Sequence, residues 1–385
     1  MRRRGVLAGL VAVPAVLLGT PGHAGAADPF AADPFAADPF GGAADPGAGA
    51  ADPVPAPTRA QVIESMRLVD TFWIANGADQ AANNWQNAMF NMGNLAYVTV
   101  FGKTNGYTLP WSRRNMFLLP TDPARPFLAE NFASGEAYLD LYRFHPVPET
   151  LAALRERVAA QTAAVQAGQV REWDHVEALG LAMPAFARLA AMDGKPEYLD
   201  AMHRLFRFAA RRLYDEDRGL WARDGAAACS RTYWSRGNGW ALAGLVKVLK
   251  VLAADDPRRG GYTRIVTRMA ATLRHRQRPD GFWNVDLGHR RDHPGPETAG
   301  TALITYALAA AINQGILPAD RYRPVVERAW QGMVTTALRP DGLLGYVQGP
   351  ATRPSDSQPV QPTDTAAYGA GAFLLAGSQL AAIET

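Results

Sequence analysis

Only one cysteine, Cys229, occurs among 385 residues, so no disulfide can form within the chain. The seven His are scattered, and no CxxC or HExxH spacing occurs; the sequence therefore predicts neither a metal site nor a cofactor. Alternation of apolar and polar residues is nearly absent, which argues against a sheet protein. Beyond the first 26 residues no stretch reaches the roughly 18 continuous apolar residues of a membrane span, which predicts a soluble mature chain without one. Net charge is also small. With the three Arg at positions 2–4 and the five Asp of residues 27–57 set aside, residues 58–385 keep 36 Lys and Arg against 31 Asp and Glu. That balance suits an anionic ligand and is too weak to indicate nucleic acid.

The chain is 48% apolar and 19% charged, as in an ordinary globular protein with a large core. Its N-terminus differs. Arg2-Arg3-Arg4 precede an apolar run from Val6 to Leu18, with Ala24-Gly25-Ala26 after it. Residues 1–26 read as a cleaved export signal, compatible with either the twin-arginine or the general route, which predicts an exported protein. Residues 27–57 repeat Ala-Asp-Pro-Phe with drift. Such a segment buries too little surface to fold and reads as a semi-extended tether.

From Thr58 onward apolar residues recur with helical period at about 58–75, 86–102, 128–144, 147–166, 176–192, 196–213, 238–253, 260–276, 298–314, 320–337 and 366–381. Between helices, Gly219-Leu-Trp, Gly281-Phe-Trp and Gly342-Leu-Leu lie 62 and 61 residues apart, with Gly106 and Gly168 as weaker upstream echoes. A period near 60 built from two helices means stacked helical hairpins. Five or six of them in residues 58–385 suggest a closed ring, an all-α (α/α)6 barrel. Helices beginning near Val176, Asn238, Thr298 and Thr365 are rich in Ala, Gly and Leu with few charges, and are expected inside; those at 196–213, 260–276 and 320–337 carry charged faces and are expected outside.

Parallel inner helices would gather their N-termini at one mouth. The residues there are Trp173-Asp-His-Val-Glu177, Trp234-Ser-Arg-Gly-Asn238-Gly-Trp240, Pro296-Glu-Thr298 and Thr363-Asp-Thr365. Helix capping accounts well for Thr298, Asp364 and Thr365. It does not account for Trp234, Arg236 and Trp240 within seven residues. Trp faces suit the apolar faces of sugar rings, and a planar guanidinium matches a carboxylate bidentately. Trp234, Arg236, Asn238 and Trp240 are therefore expected to bind an acidic sugar. Trp173 and Trp221 fit either the wall of this mouth or ordinary core packing.

At these residues the sequence resembles the unsaturated rhamnogalacturonyl hydrolases, glycoside hydrolase family 105, and more distantly the unsaturated glucuronyl hydrolases. The likeness rests on Trp-Ser-Arg-Gly-Asn-Gly-Trp (234–240), Ala-Arg-Leu-Ala and Lys-Pro-Glu-Tyr-Leu-Asp-Ala-Met (within 187–202), Pro-Glu-Thr-Ala-Gly (296–300) and Tyr-Gly-Ala-Gly-Ala-Phe-Leu-Leu-Ala-Gly-Ser (368–378), and covers about residues 84–380. It implies an (α/α)6-barrel domain over 58–385 that removes a Δ4,5-unsaturated galacturonyl residue from pectic oligosaccharides. In that family an acid protonates the C4=C5 enol ether, water adds at C5, and the hemiketal opens. The resemblance implies Glu177 as the acid and Glu130 as the second carboxyl, each standing where the family carries Asp; Asp174 is the alternative acid. It also implies Arg223 as a ligand for the uronate, with a salt bridge to Asp224 or Asp217 as the competing role. A catalytically silent glycan binder, or a hydrolase of unsaturated glucuronyl oligosaccharides, would keep the same mouth.

Overall fold

The structure is a computed structural model that describes residues 56–102, 106–289 and 291–383. The export signal and nearly all of the tether lie outside the described residues. Thr58 caps the first helix, accepting from the Gln61 N–H while the Gln61 side chain accepts from the Thr58 N–H, so two otherwise orphaned donors are satisfied where the helical pattern begins.

In chain order the helices are α1 (Arg59–Asn76), α2 (Trp85–Phe101), α3 (Thr108–Arg114), α4 (Ala133–Leu141), α5 (Glu149–Gln166), α6 (Glu177–Leu181), α7 (Met183–Asp193), α8 (Pro196–Leu213), α9 (Gly225–Ser230), α10 (Ser235–Val251), α11 (Arg259–Arg276), α12 (Thr298–Asn313), α13 (Ala319–Gly332) and α14 (Ala367–Leu380). A 3-10 turn, Ala129–Phe132, leads into α4, and two short strands, β1 (Tyr214–Asp215) and β2 (Leu220–Trp221), pair antiparallel. The stretch predicted as one helix over 176–192 is broken between α6 and α7. Pro184 sits in the first turn of α7; it has no N–H to donate back to Gly180, and its ring crowds that carbonyl.

The inner ring runs α2, α4, α6–α7, α10, α12, α14 and returns to α2, each packed on the next. The outer layer is α1, α3, α5, α8, α11 and α13. This is the (α/α)6 barrel. The ring closes tightly where Gly93 of α2 meets Gly371 of α14: a Cβ at Gly93 would lie 2.5 Å from the Gly371 carbonyl oxygen. Small residues on the inner helices therefore reflect backbone proximity, and α12 is buried along nearly its whole length. No described helix is long and apolar enough to cross a membrane.

The repeated glycines explain themselves in this arrangement. Gly219, Gly281 and Gly342 have φ of 62°, 88° and 96°, a left-handed conformation that side chains oppose. Each also abuts an outer helix. Gly219 meets Arg268 of α11, Gly281 meets Arg328 of α13, and Gly342 meets Leu68 of α1, which seats the last hairpin against the first. Gly106 and Gly168 share the positive φ but would meet nothing, so only half of the signal persists there. A Cβ at Gly281 would lie 2.2 Å from the Arg328 carbonyl oxygen. Gly281→Ala is therefore expected to destabilise the barrel by roughly 2–5 kcal/mol, combining backbone strain with overpacking. Chemical denaturation checks this, and an unchanged midpoint would contradict the packing account.

The inner helices are less free of charge than their sequences suggest. Lys247 Nζ of α10 bonds Glu136 Oε1 of α4 at 2.7 Å, and Arg188 Nη1 of α7 bonds Asp140 Oδ1 at 2.8 Å. Glu136 is buried and Lys247 lies near the Tyr306 ring of α12. Inner helices carry charge here because opposite partners face across the ring.

Candidate active site

The mouth is a cavity of about 410 Å³ lined by Trp85, Glu130, Glu177, Leu181, Arg223, Trp234, Arg236, Trp240 and the segment Pro350, Ala351, Thr352 and Asp356. That volume lies within the range of small-ligand sites. The first residues of α2, α6 and α10 and the turn before α4 all reach it, so these inner helices present their N-terminal ends to the mouth.

Glu177 opens α6, with its side chain only 13% exposed. Its Oε1 accepts from Arg223 Nε at 2.9 Å, whereas Oε2 is buried without a hydrogen bond. Burial pushes the carboxyl above its ordinary pKa, and the Arg223 charge opposes that rise. Arg223 Nη1 bonds Asp224 Oδ2 at 2.8 Å. Arg223 thus faces the mouth and also makes the Asp224 ion pair. Glu130 reaches the mouth from the 3-10 turn, and its charge reinforces the upward shift of Glu177.

Trp234, Arg236 and Trp240 form the opposite side. Trp240 meets Trp85 edge to face with centroids 6.3 Å apart, and Trp85 lies 4.9 Å from the Tyr368 ring. Arg236 sits over Trp234 at 4.3 Å and Tyr368 at 5.0 Å. Its Nη1 donates to the Gln348 carbonyl at 2.7 Å, and its Nη2 to the Gly349 carbonyl at 3.1 Å. The planar fork expected to hold a ligand carboxylate is instead spread across the backbone of the segment that walls the mouth. Gln348 secures the same segment from its own side chain: Oε1 accepts from Trp234 Nε1 at 2.9 Å, while Nε2 donates to the Pro354 and Asp356 carbonyls at 3.1 and 2.7 Å. Buried Glu297 completes the support, accepting from the Ala299, Gly300 and Gln348 N–H groups.

Four candidate site residues, Asn238, Trp173, Trp221 and Asp174, lie elsewhere. Asn238 is fully buried and holds β2 to α10, accepting from the Trp221 N–H at 2.8 Å and donating to the Trp221 and Trp234 carbonyls, both at 2.9 Å. An amide saturated by backbone has nothing left for a sugar. Trp173 is fully buried and meets Phe186 edge on, and Trp221 is buried against Phe206 and Tyr214; both are core. Asp174 does not line the mouth and bonds His175 Nδ1 at 2.6 Å and Arg125 Nη2 at 3.1 Å. Thr298 does not cap α12: Glu297 does, and Thr298 Oγ1 donates to the Gly345 carbonyl. Sequence reasoning missed Trp85, Gln348 and the 350–356 wall. Trp85, immediately after the capping Asn84, was detectable as a Trp at a helix start; Gln348 and the wall carry no motif.

Three tryptophans, two guanidinium groups and paired carboxyls at one mouth of a helical barrel define a carbohydrate-active protein. The profile of Glycosyl Hydrolase Family 88 matches residues 62–383, and the chain belongs to that family. Over 229 residues it is 31% identical to an unsaturated 3S-rhamnoglycuronyl hydrolase of Formosa agariphila, an alignment covering 56% of this chain and 60% of that protein's own length. A solved family 88 glycosyl hydrolase from Bacteroides vulgatus is 30% identical, with a TM-score of 0.79 over 85% of this chain and 99% of the other. A structure described as a possible family 105 member, from Salmonella enterica serovar Paratyphi A, is 16% identical with a TM-score of 0.70 over 85% and 95% of the two chains, and shares the fold.

Proposed function

We propose that this chain hydrolyses oligosaccharides that end in a Δ4,5-unsaturated uronyl residue linked to rhamnose, through hydration of the enol ether. The observation that carries the reading is Glu177, a carboxyl raised by burial at the floor of a Trp-walled mouth beside Arg223. A carboxyl shifted upward holds a proton at neutral pH more readily than an ordinary Glu, as a general acid needs. Glu177 gives its proton to C4, and positive charge develops across C5 and the ring oxygen. Glu130 stabilises that charge. Water adds at C5 and returns a proton to Glu177. The resulting hemiketal opens and releases the neighbouring sugar.

Galacturonate and glucuronate differ only at C4, which elimination makes planar, so both yield the same unsaturated ring. The anomeric configuration and the leaving sugar remain as the basis of discrimination. The motif resemblance favours an α-linked pectic disaccharide. The name of the Formosa relative favours a glycuronyl-rhamnose substrate. Each disaccharide is to be incubated with the protein while ultraviolet absorbance is followed, because hydration destroys the conjugated enol-ether carboxylate. Loss of absorbance with the galacturonyl compound alone supports the pectic assignment; loss with the glucuronyl compound alone transfers it. A flat trace for both, with calorimetric binding, would leave a silent glycan binder. Export through residues 1–26 belongs to the same proposal, and mass spectrometry of the secreted chain tests it.

A further inference from the structure

We infer that Arg223 is a proton switch as well as a uronate ligand: in the free protein its guanidinium opposes protonation of Glu177, and the carboxylate of a bound uronate takes over that guanidinium and releases Glu177 to be protonated. The inference rests on the proposed hydrolysis at this mouth. Its geometry is specific. Arg223 uses Nε on Glu177 at 2.9 Å and Nη1 on Asp224 at 2.8 Å, and Nη2 makes no hydrogen bond among the described residues. Arg223 and Glu177 both line the cavity, so an anion entering it meets the remaining guanidinium edge.

Once Arg223 turns to the ligand, Oε1 of Glu177 loses its donor, and Oε2 already has none. A buried carboxyl that loses its ionic donor is driven towards the neutral form. The other titratable groups facing Glu177 are His175 from the preceding turn, Glu130 from the 3-10 turn and Asp224 beyond Arg223. The side chains that α10 places nearest are neutral, Trp240 packing against Gly180 of α6, while Arg236 is directed to Gln348 and Gly349. Arg223 is thus the principal cation opposing protonation, and the incoming carboxylate both removes it and adds negative charge. The proton taken from solvent on binding is the one delivered to C4, and the water that adds at C5 restores it.

The test compares pH profiles. Because protonated Glu177 is the active form, activity falls as pH rises through its pKa. The falling limb of kcat/KM reports the free protein and that of kcat the complex. In wild type the kcat limb is expected above the kcat/KM limb by about 1–3 pH units, the span an opposite charge commonly commands. Arg223→Gln should raise the kcat/KM limb until the two coincide, whereas Arg223→Lys should keep a separation. A residue that only binds the uronate would raise KM in Arg223→Gln and move neither limb. Coincident limbs in wild type, or an undiminished gap in Arg223→Gln, overturn the switch. Titration with galacturonate in buffers of different ionisation heat provides a readout independent of turnover. Proton uptake on binding at a pH between the limbs, or near neutral pH when no hydrolysis defines them, is expected in wild type and not in Arg223→Gln. Absence of binding or of uptake overturns the switch even where the disaccharide is not hydrolysed, an outcome that by itself would refute only the proposed hydrolase.

Discussion

Glu177→Gln is expected to lower kcat by roughly 10²–10⁴-fold, the usual contribution of a positioned general acid, with KM changed far less. Gln is nearly isosteric, so the surrounding packing is kept. Arg223 would still reach an amide oxygen in place of Oε1 and would retain Asp224. The buried, unpartnered Oε2 is the position where the amide nitrogen would lie at least cost. Stability is therefore expected to hold while chemistry is lost, a combination that separates a missing proton from a damaged fold. Decay of ultraviolet absorbance by the unsaturated disaccharide, read beside a thermal melt, checks it. Full activity in the variant would move the acid to Glu130, the second Glu lining the mouth, and not to Asp174, which is engaged with Arg125 and His175.

Arg236→Ala is expected to reduce kcat/KM by roughly 10²-fold or more, since hydrogen bonds from a charged donor are each worth about 1.5–3 kcal/mol and two carbonyls of the wall depend on this guanidinium. The effect would arise through shape, not through a lost ligand contact. Without Arg236 the Gly349 carbonyl loses its donor and the segment carrying Pro350, Thr352 and Asp356 is released from one of its anchors, the Gln348 side chain and Glu297 being others. Arg236→Lys should rescue only partly, because one ammonium does not span the two carbonyls as a planar fork does, nor stack equally between Trp234 and Tyr368. Gln348→Ala should reproduce much of the loss. If Arg236→Ala lowered affinity while Gln348→Ala left it untouched, direct ligation by Arg236 would be the better account.

Both predictions show where sequence reading succeeded and where it stopped. Trp234, Arg236 and Trp240 were legible as a site because their clustering exceeds what a helix start needs, and the structure places all three on the mouth. Their separate tasks were not legible. The partner of Arg236 is a carbonyl 112 residues away and that of Glu177 a guanidinium 46 residues away; neither pairing leaves a periodic or compositional trace. Asn238 stood within the same short stretch, yet two positions' rotation along α10, about 200°, turns it from the mouth to the backbone of Trp221. Trp173 and Trp221 were equally ambiguous, since an aromatic ring near a site has the same letter whether it faces sugar or core.

The sequence by itself determined the long helices and their two layers, though not the short α3 and α9, because burial of one face imposes a 3.6-residue period on residues only a few positions apart. It also determined the hairpin repeat, because a left-handed turn against a neighbouring helix admits glycine alone at Gly219, Gly281 and Gly342. Only the tertiary structure decided which polar residues face the mouth. Closing the ring brings α2 to α14, carries the 348–356 segment over the start of α10, and sets Arg223 against Glu177. A side chain's chemical role depends on the charge, burial and donors around it, and here those neighbours are supplied by helices far apart in the chain.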